Sequence, residues 1–181
     1  PKDMIDYLWE RIDVAKKKPV CINKNLAGNI SHMYKLEDPQ NLIVPNLLKI
    51  LEKVQQDIQL EIQKVYSKIS HARNNKLEPH LDSLWVNFQK KGEFQPVHNH
   101  TGLFSFVIWM DIPYHWKDET KSDQKGNFSF VYSDGNCRGV QVYYIKLSPE
   151  MNGYCCFFPS DLCHQVYPFY TSDKDRISIS G

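Results

Sequence analysis

Leu84-Trp85-Val86-Asn87-Phe88-Gln89 is the stretch on which the fold turns. Leu84, Val86 and Phe88 alternate with Trp85, Asn87 and Gln89. Successive side chains of a strand point to opposite faces, so this segment predicts a strand with two differently used faces. Upstream the spacing is helical. Lys2 to Lys18 carries Ile5, Leu8, Trp9, Ile12 and Ala15 at steps of three or four, and Pro19 ends the pattern. Val20 to Leu36 looks irregular or weakly extended. From Leu47 the apolar positions run Leu47, Leu51, Val54, Ile58, Ile62, Val65 and Ile69, which predicts a long amphipathic helix. A basic-rich kink at His71 to Lys76 follows, and Pro79 closes it.

Downstream of Leu84 the chain reads as strand after strand. Leu103 to Ile112 ends at Pro113. Asn127 to Tyr132 and Val140 to Leu147 flank Ser133-Asp134-Gly135-Asn136, a strong turn signal. Tyr154 to Phe158, Gln165 to Tyr167 and Arg176 to Ser180 bring the total to about seven strands. Helices first and then short strands at close spacing predict a β-sandwich or jelly roll with helices packed outside it. Trp109, Tyr143, Tyr144 and Phe157 read as its core. His115 to Lys125 reads as a mobile loop between strands.

Composition narrows the function. The chain has 181 residues, which suits a single domain, 1–181, with 1–78 a helical support and 79–181 the strand-rich core. With 22 basic and 21 acidic residues the net charge is +1, so no global field favours nucleic acid or an anionic membrane. The Lys16-Lys17-Lys18 run reads as a solvated helix end, and His71-Ala72-Arg73 as a solvated loop. Apolar runs such as Phe106 to Met110 are too short to span a bilayer, and no secretory pattern opens the sequence. Five cysteines, Cys21, Cys137, Cys155, Cys156 and Cys163, form no CxxC pair. That pattern suits reduced thiols in a cytoplasmic setting better than a disulfide framework.

Of seven histidines, three stand in an informative arrangement. His98 and His100 form an H-x-H pair, and on a strand i and i+2 share a face. His164 opens a later strand that a jelly roll can bring beside the first. Three neutral imidazoles on one face suit Fe(II), Zn(II), Cu(II) or Ni(II). Two surface histidines flanking a turn explain an isolated H-x-H equally well. Asp111 and Asp161 are alternative carboxylate ligands, while His32, His80 and His115 have no identifiable partners. Twelve residues beyond His164, Arg176 and Ser178 share a strand face. A guanidinium inside a barrel requires an anion, and a bidentate carboxylate is its natural complement.

Trp85-Val86-Asn87, His98-Asn99-His100, Phe158-Pro159-Ser160-Asp161-Leu162-Cys163-His164 and Arg176-Ile177-Ser178 together resemble the Fe(II)/2-oxoglutarate-dependent oxygenases. The resemblance is greatest to their phage and marine bacterial branch, and it runs from about Leu84 to Ser180. It implies a double-stranded β-helix (jelly-roll, cupin-like) core. It makes His98 and His164 two iron ligands, with His100 standing where most of the superfamily has Asp or Glu. Arg176 matches the residue that grips the distal carboxylate of 2-oxoglutarate, with Ser178 its companion. Asn87 matches the first position of an Asn-x-Tyr pair that contacts the co-substrate in some relatives, and Gln89 stands where Tyr would be.

The implied function is Fe(II)- and 2-oxoglutarate-dependent hydroxylation, using O2, of a primary substrate the sequence does not name. Substrate choice would rest on the loops Asp118 to Gly126, Ser133 to Gly139 and Tyr170 to Asp175. Two other readings stay open: a cupin-type three-histidine metalloenzyme without 2-oxoglutarate, and a non-enzymatic jelly-roll binding or virion protein. Metal content separates the non-enzymatic reading from the two metalloenzyme readings. The resemblance to the phage branch places the expected compartment in the cytoplasm, that of a host included.

Overall fold

The computed structural model describes residues 2–22, 28–53, 80–119, 124–133, 135 and 139–181. The backbone divides into two compact units, one of Pro1–Glu37 with Asp82–Gly181 and one of Asp38–Leu81. No described helix is long and apolar enough to cross a membrane.

In the smaller unit, α2 spans Ile43–Lys53. Its start is capped by Asp38, whose carboxylate accepts from the backbone N–H of Leu42 at 3.1 Å and of Ile43 at 2.9 Å. Such a cap satisfies amide groups that have no partner within the helix. The rest of the expected long helix, from Val54 to Ile69, and the His71 to Lys76 kink lie outside the described residues.

In the larger unit, α1 spans Lys2–Lys17 and buries Tyr7, Leu8, Ile12 and Ala15. Asp3 in its first turn and Lys16 and Lys17 in its last complement the helix dipole. Nine strands follow among the described residues: β1 (His32–Lys35), β2 (Trp85–Gln89), β3 (Gln95–His98), β4 (Phe104–Asp111), β5 (Phe128–Ser133), β6 (Val140–Ile145), β7 (Cys155–Pro159), β8 (His164–Val166) and β9 (Arg176–Ser180). They form two antiparallel sheets, ordered β1-β2-β9-β4-β7 and β3-β8-β5-β6. This is a double-stranded β-helix. Val107 and Trp109 of β4 and Phe158 of β7 meet Phe128 of β5 in a shared core that also holds Ile112, Tyr114, Leu147 and Phe169.

The two faces of β2 explain its alternating sequence. Its outer face turns toward α1, where the Lys16 ammonium lies 5.0 Å from the centre of the Phe88 ring. Its inner face, Trp85, Asn87 and Gln89, lines a cavity between the sheets. All five residues are buried, because both faces are covered.

Three expectations need correction. The segment Val20 to Leu36 contains a true strand, β1, which pairs with β2 along its whole length. β3 is an additional strand, tolerating Pro96 because it lies at the edge of its sheet. Tyr143 is not core: it is 61% exposed on the edge strand β6, and Tyr144 is only half-buried. Trp109, by contrast, is buried as expected.

Candidate metal centre and anion pocket

The H-x-H segment does not present its histidines as one strand face would. His98 ends β3, opposite His164 at the start of β8. The chain then leaves the strand, and the backbone N–H of His100 donates to Ser160 O at 2.9 Å. Ser160 belongs to the turn that delivers His164, and its hydroxyl bonds that of Ser105 at 3.0 Å inside the protein. One turn therefore places both His164 and His100. Gly102, at φ +107°, lets the chain swing back into β4 in a conformation that favours glycine.

The three rings converge. Their centroids lie 4.3 Å apart for His98 and His164, and 5.0 Å for His100 with either. A ligand atom from each lies within 4.8 Å of the others. Nitrogens held at about 2.1 Å around one ion stand up to about 4.2 Å apart, so small ring movements close the site. His98 Nδ1 meets Pro96 O at 2.7 Å, and His164 Nδ1 meets Leu162 O at 3.0 Å. A carbonyl only accepts, so each Nδ1 carries the proton and each Nε2 keeps a bare lone pair. Metal-binding histidines are commonly held this way.

Burial pushes all three imidazoles down, His100 and His164 to about 4, with neighbouring histidines adding a smaller push to each of those two. At neutral pH they are uncharged. Asp111 sits at the end of β4 and Asp161 is exposed on a turn, and neither joins the histidine group. The donor set fits a divalent transition metal and supplies no negative charge of its own.

The opposite wall of the cavity comes from β2 and β9, whose register sets Trp85 against Ser180, Asn87 against Ser178 and Gln89 against Arg176. Two sequence motifs about ninety residues apart become three facing pairs on one surface. All six residues line the same cavity as the histidines, about 590 Å³ of space continuous with solvent.

Arg176 is only 2% exposed. Its guanidinium donates to the Tyr114 hydroxyl, to Gly126 O at 3.0 Å and to Gln89 Oε1. All three acceptors are neutral, and no salt bridge to Arg176 exists among the described residues. Gln89 thus holds one arm of the fork, and its own amide donates to Glu93 O. Asn87 Nδ2 donates to Ser178 Oγ at 3.3 Å and to Ser180 Oγ at 3.2 Å. Asn87 Oδ1 and Trp85 Nε1 are buried without partners among the described residues.

Several of these residues escape sequence reasoning. Ser180 extends the same period-two row as Arg176 and Ser178, and that signal could have found it. Tyr114 and Gly126 could not be found so, because they reach Arg176 from 62 and 50 residues away. Gly126 has φ +70° and packs directly under the Tyr114 ring. Glu119, also buried, accepts from the backbone of Tyr170 and Thr171 and from the Thr171 hydroxyl, tying down the start of the 170–175 loop. Residues 120–123, 134 and 136–138 of the other expected loops lie outside the description. The described cysteines are free thiols, and burial raises Cys155 to about 12 and Cys156 to about 11, which makes those two poor nucleophiles.

Known proteins place this geometry in context. The family described as "Putative 2OG-Fe(II) oxygenase" matches residues 83–181, more than half of the chain. A prolyl-4-hydroxylase from Pseudomonas putida is similar over 99% of this chain and 85% of its own, at 14% identity and a TM-score of 0.54. A 2OG-Fe(II) oxygenase family oxidoreductase from Burkholderia pseudomallei covers 94% of this chain and 74% of its own, at 15% identity and a TM-score of 0.44. A cupin domain from Bordetella pertussis Tohama I covers 58% and 83%, at 12% identity and a TM-score of 0.31. No curated protein matches the sequence.

Proposed function

Because the chain belongs to the family described as putative 2OG-Fe(II) oxygenases, we propose that it is an Fe(II)- and 2-oxoglutarate-dependent dioxygenase that hydroxylates a primary substrate. One observation carries this reading. A single cavity holds three convergent imidazoles at one place and, on the facing wall, a buried arginine with no acidic partner among the described residues. A cupin-type metalloenzyme without 2-oxoglutarate has no need of that arginine.

His98, His100 and His164 would hold the iron. When bound, iron and 2-oxoglutarate supply the oxidising chemistry, in which O2 and the 2-oxo acid yield succinate, CO2 and a hydroxylated product. The chain's own part is positional. Pro96 O and Leu162 O fix the tautomers of His98 and His164. Arg176, held in place by Gln89, Tyr114 and Gly126, would take the distal carboxylate as a two-pronged pair, with the Ser178 hydroxyl beside it. Phe128 and Phe158 pack against His164, with ring centroids at 5.6 and 5.0 Å, and keep water from that side of the site. A third neutral ligand in place of a carboxylate leaves the centre one unit more positive, which favours a dianionic co-substrate.

The test is succinate formation from 2-oxoglutarate with Fe(II) and O2. Turnover that requires iron and disappears in His98→Ala and Arg176→Met is the expected result. Iron binding without any consumption of 2-oxoglutarate would overturn the proposal.

A further inference from the structure

Resting on the oxygenase reading, we propose that Trp85 and Ser180 form a second pair of hydrogen-bond donors, which holds the metal-end carboxylate of the 2-oxo acid. The two residues face each other across the β2–β9 ladder, so their side chains leave the sheet side by side into the cavity. Trp85 is 5% exposed, its ring centroid lies 5.7 Å from that of His100, and its Nε1 has no partner among the described residues. An indole N–H only donates, so its buried hydrogen requires an acceptor.

Ser180 adds the second hydrogen. Its Oγ already accepts from Asn87 Nδ2, which occupies a lone pair and leaves the hydroxyl hydrogen to donate. Among the described residues nothing takes that hydrogen. The pair therefore stands at the histidine end of β9, while Arg176 stands four residues away, about 13 Å along the strand at 3.3 Å per residue. The long arginine side chain shortens the gap between them. A ligand that satisfies both ends carries anionic oxygens at both ends, as a dicarboxylate does.

The histidine at position 100 sharpens this argument. A carboxylate ligand there would itself be an acceptor beside Trp85. With imidazole in its place, no acid of the described protein joins the histidine group, so the acceptor arrives with the ligand. Trp85 and Ser180 act as positioning residues. They orient a carboxylate that the metal also binds, and they lend charge-assisted hydrogen bonds to a site whose protein ligands are all neutral.

Two ligands separate this role from a purely structural one. 4-Oxopentanoate keeps the ketone and the far carboxylate of 2-oxoglutarate and replaces the metal-end carboxylate with a methyl group. Both are titrated calorimetrically into Fe(II)-loaded protein without oxygen. Trp85→Phe and Ser180→Ala should each weaken 2-oxoglutarate about tenfold, or ~1.4 kcal/mol, and change 4-oxopentanoate less than about twofold. Iron affinity should stay the same in both variants. In Zn(II)-loaded protein the indole N–H resonance absent from Trp85→Phe should move downfield with 2-oxoglutarate and stay put with 4-oxopentanoate. Unchanged 2-oxoglutarate affinity in both variants, or equal losses for the two ligands, would overturn the pair while leaving the oxygenase reading intact. Failure of the unaltered protein to bind 2-oxoglutarate would overturn that reading and this inference together.

Discussion

Replacing Arg176 with methionine removes the proposed carboxylate grip while keeping much of the side-chain volume. The structure lets the cost be separated into folding and binding. Tyr114 keeps its own hydrogen bond to Gly126 O, and Gln89 keeps its donation to Glu93 O. Tyr114 Oη and Gly126 O each lose one of two bonds, and Gln89 Oε1 is left with none among the described residues, a loss of about 1–3 kcal/mol, offset in part because a guanidinium no longer needs burial. The variant should therefore fold, with a denaturation free energy within about 3 kcal/mol of the unaltered protein. Binding should suffer far more. Two charge-assisted hydrogen bonds at about 1.5–3 kcal/mol each correspond to a loss of roughly 10²–10⁴ in affinity. Arg176→Lys should recover part of this, since it keeps the charge and loses the fork. Anaerobic calorimetric titration of 2-oxoglutarate into iron-loaded protein measures the effect. Iron affinity itself should not change. Equal 2-oxoglutarate affinity in Arg176→Met and the unaltered protein would refute the reasoning.

His98→Ala and His164→Ala should lose nearly all bound iron by metal analysis, whereas His100→Asp should retain it, because that change restores the commoner 2-His-1-carboxylate set. Burial holds His100 and His164 at about 4, below the ordinary value of 6.5. Their neutral form thus persists as pH falls, and Zn(II) affinity should stay flat from about pH 7.5 to about 5.5; a drop centred on pH 6.5 would mark them as ordinary exposed histidines. The same depression gives the metal-free fold a stability that is complete above pH 6.5 and lost as pH falls toward 4, since the unfolded histidines take protons that the folded ones refuse. Urea denaturation across that window should slope less in His100→Gln. Gly126→Ala forces a Cβ to within 2.6 Å of the Tyr114 ring at φ +70°. It should cost about 2–3 kcal/mol in urea denaturation and also weaken 2-oxoglutarate, because Tyr114 would be pushed off Arg176.

The strands that carry strong alternation were legible in the sequence, and those whose pairing comes from tertiary context were not. β2 and β9 announce themselves through period-two runs such as Arg176-Ile177-Ser178-Ile179-Ser180, and β4 through a β-rich run that ends at Pro113. β1 is a four-residue strand among Asn, Gly and Ser, and only its pairing with β2 makes it a strand. β3 carries Pro96, which counts against a strand until the edge position is known. The spacing of His98, His100 and His164 predicts their convergence, but strand periodicity brings only part of it about. His100 arrives through the Ser160 turn and not through strand periodicity. Local pattern also misplaced Tyr143, since β-rich sequence says nothing of which strand ends a sheet. The orphaned Trp85 indole and the Tyr114 clamp on Arg176 depend on contacts between distant segments, where no local signal exists.

A crystal structure grown without oxygen, with Fe(II) and 2-oxoglutarate, tests the central claim most directly. It should place iron on His98, His100 and His164, with one carboxylate of 2-oxoglutarate in a two-pronged pair with the Arg176 guanidinium. Iron bound elsewhere, or a 2-oxoglutarate that leaves Arg176 with only its neutral partners, would contradict it.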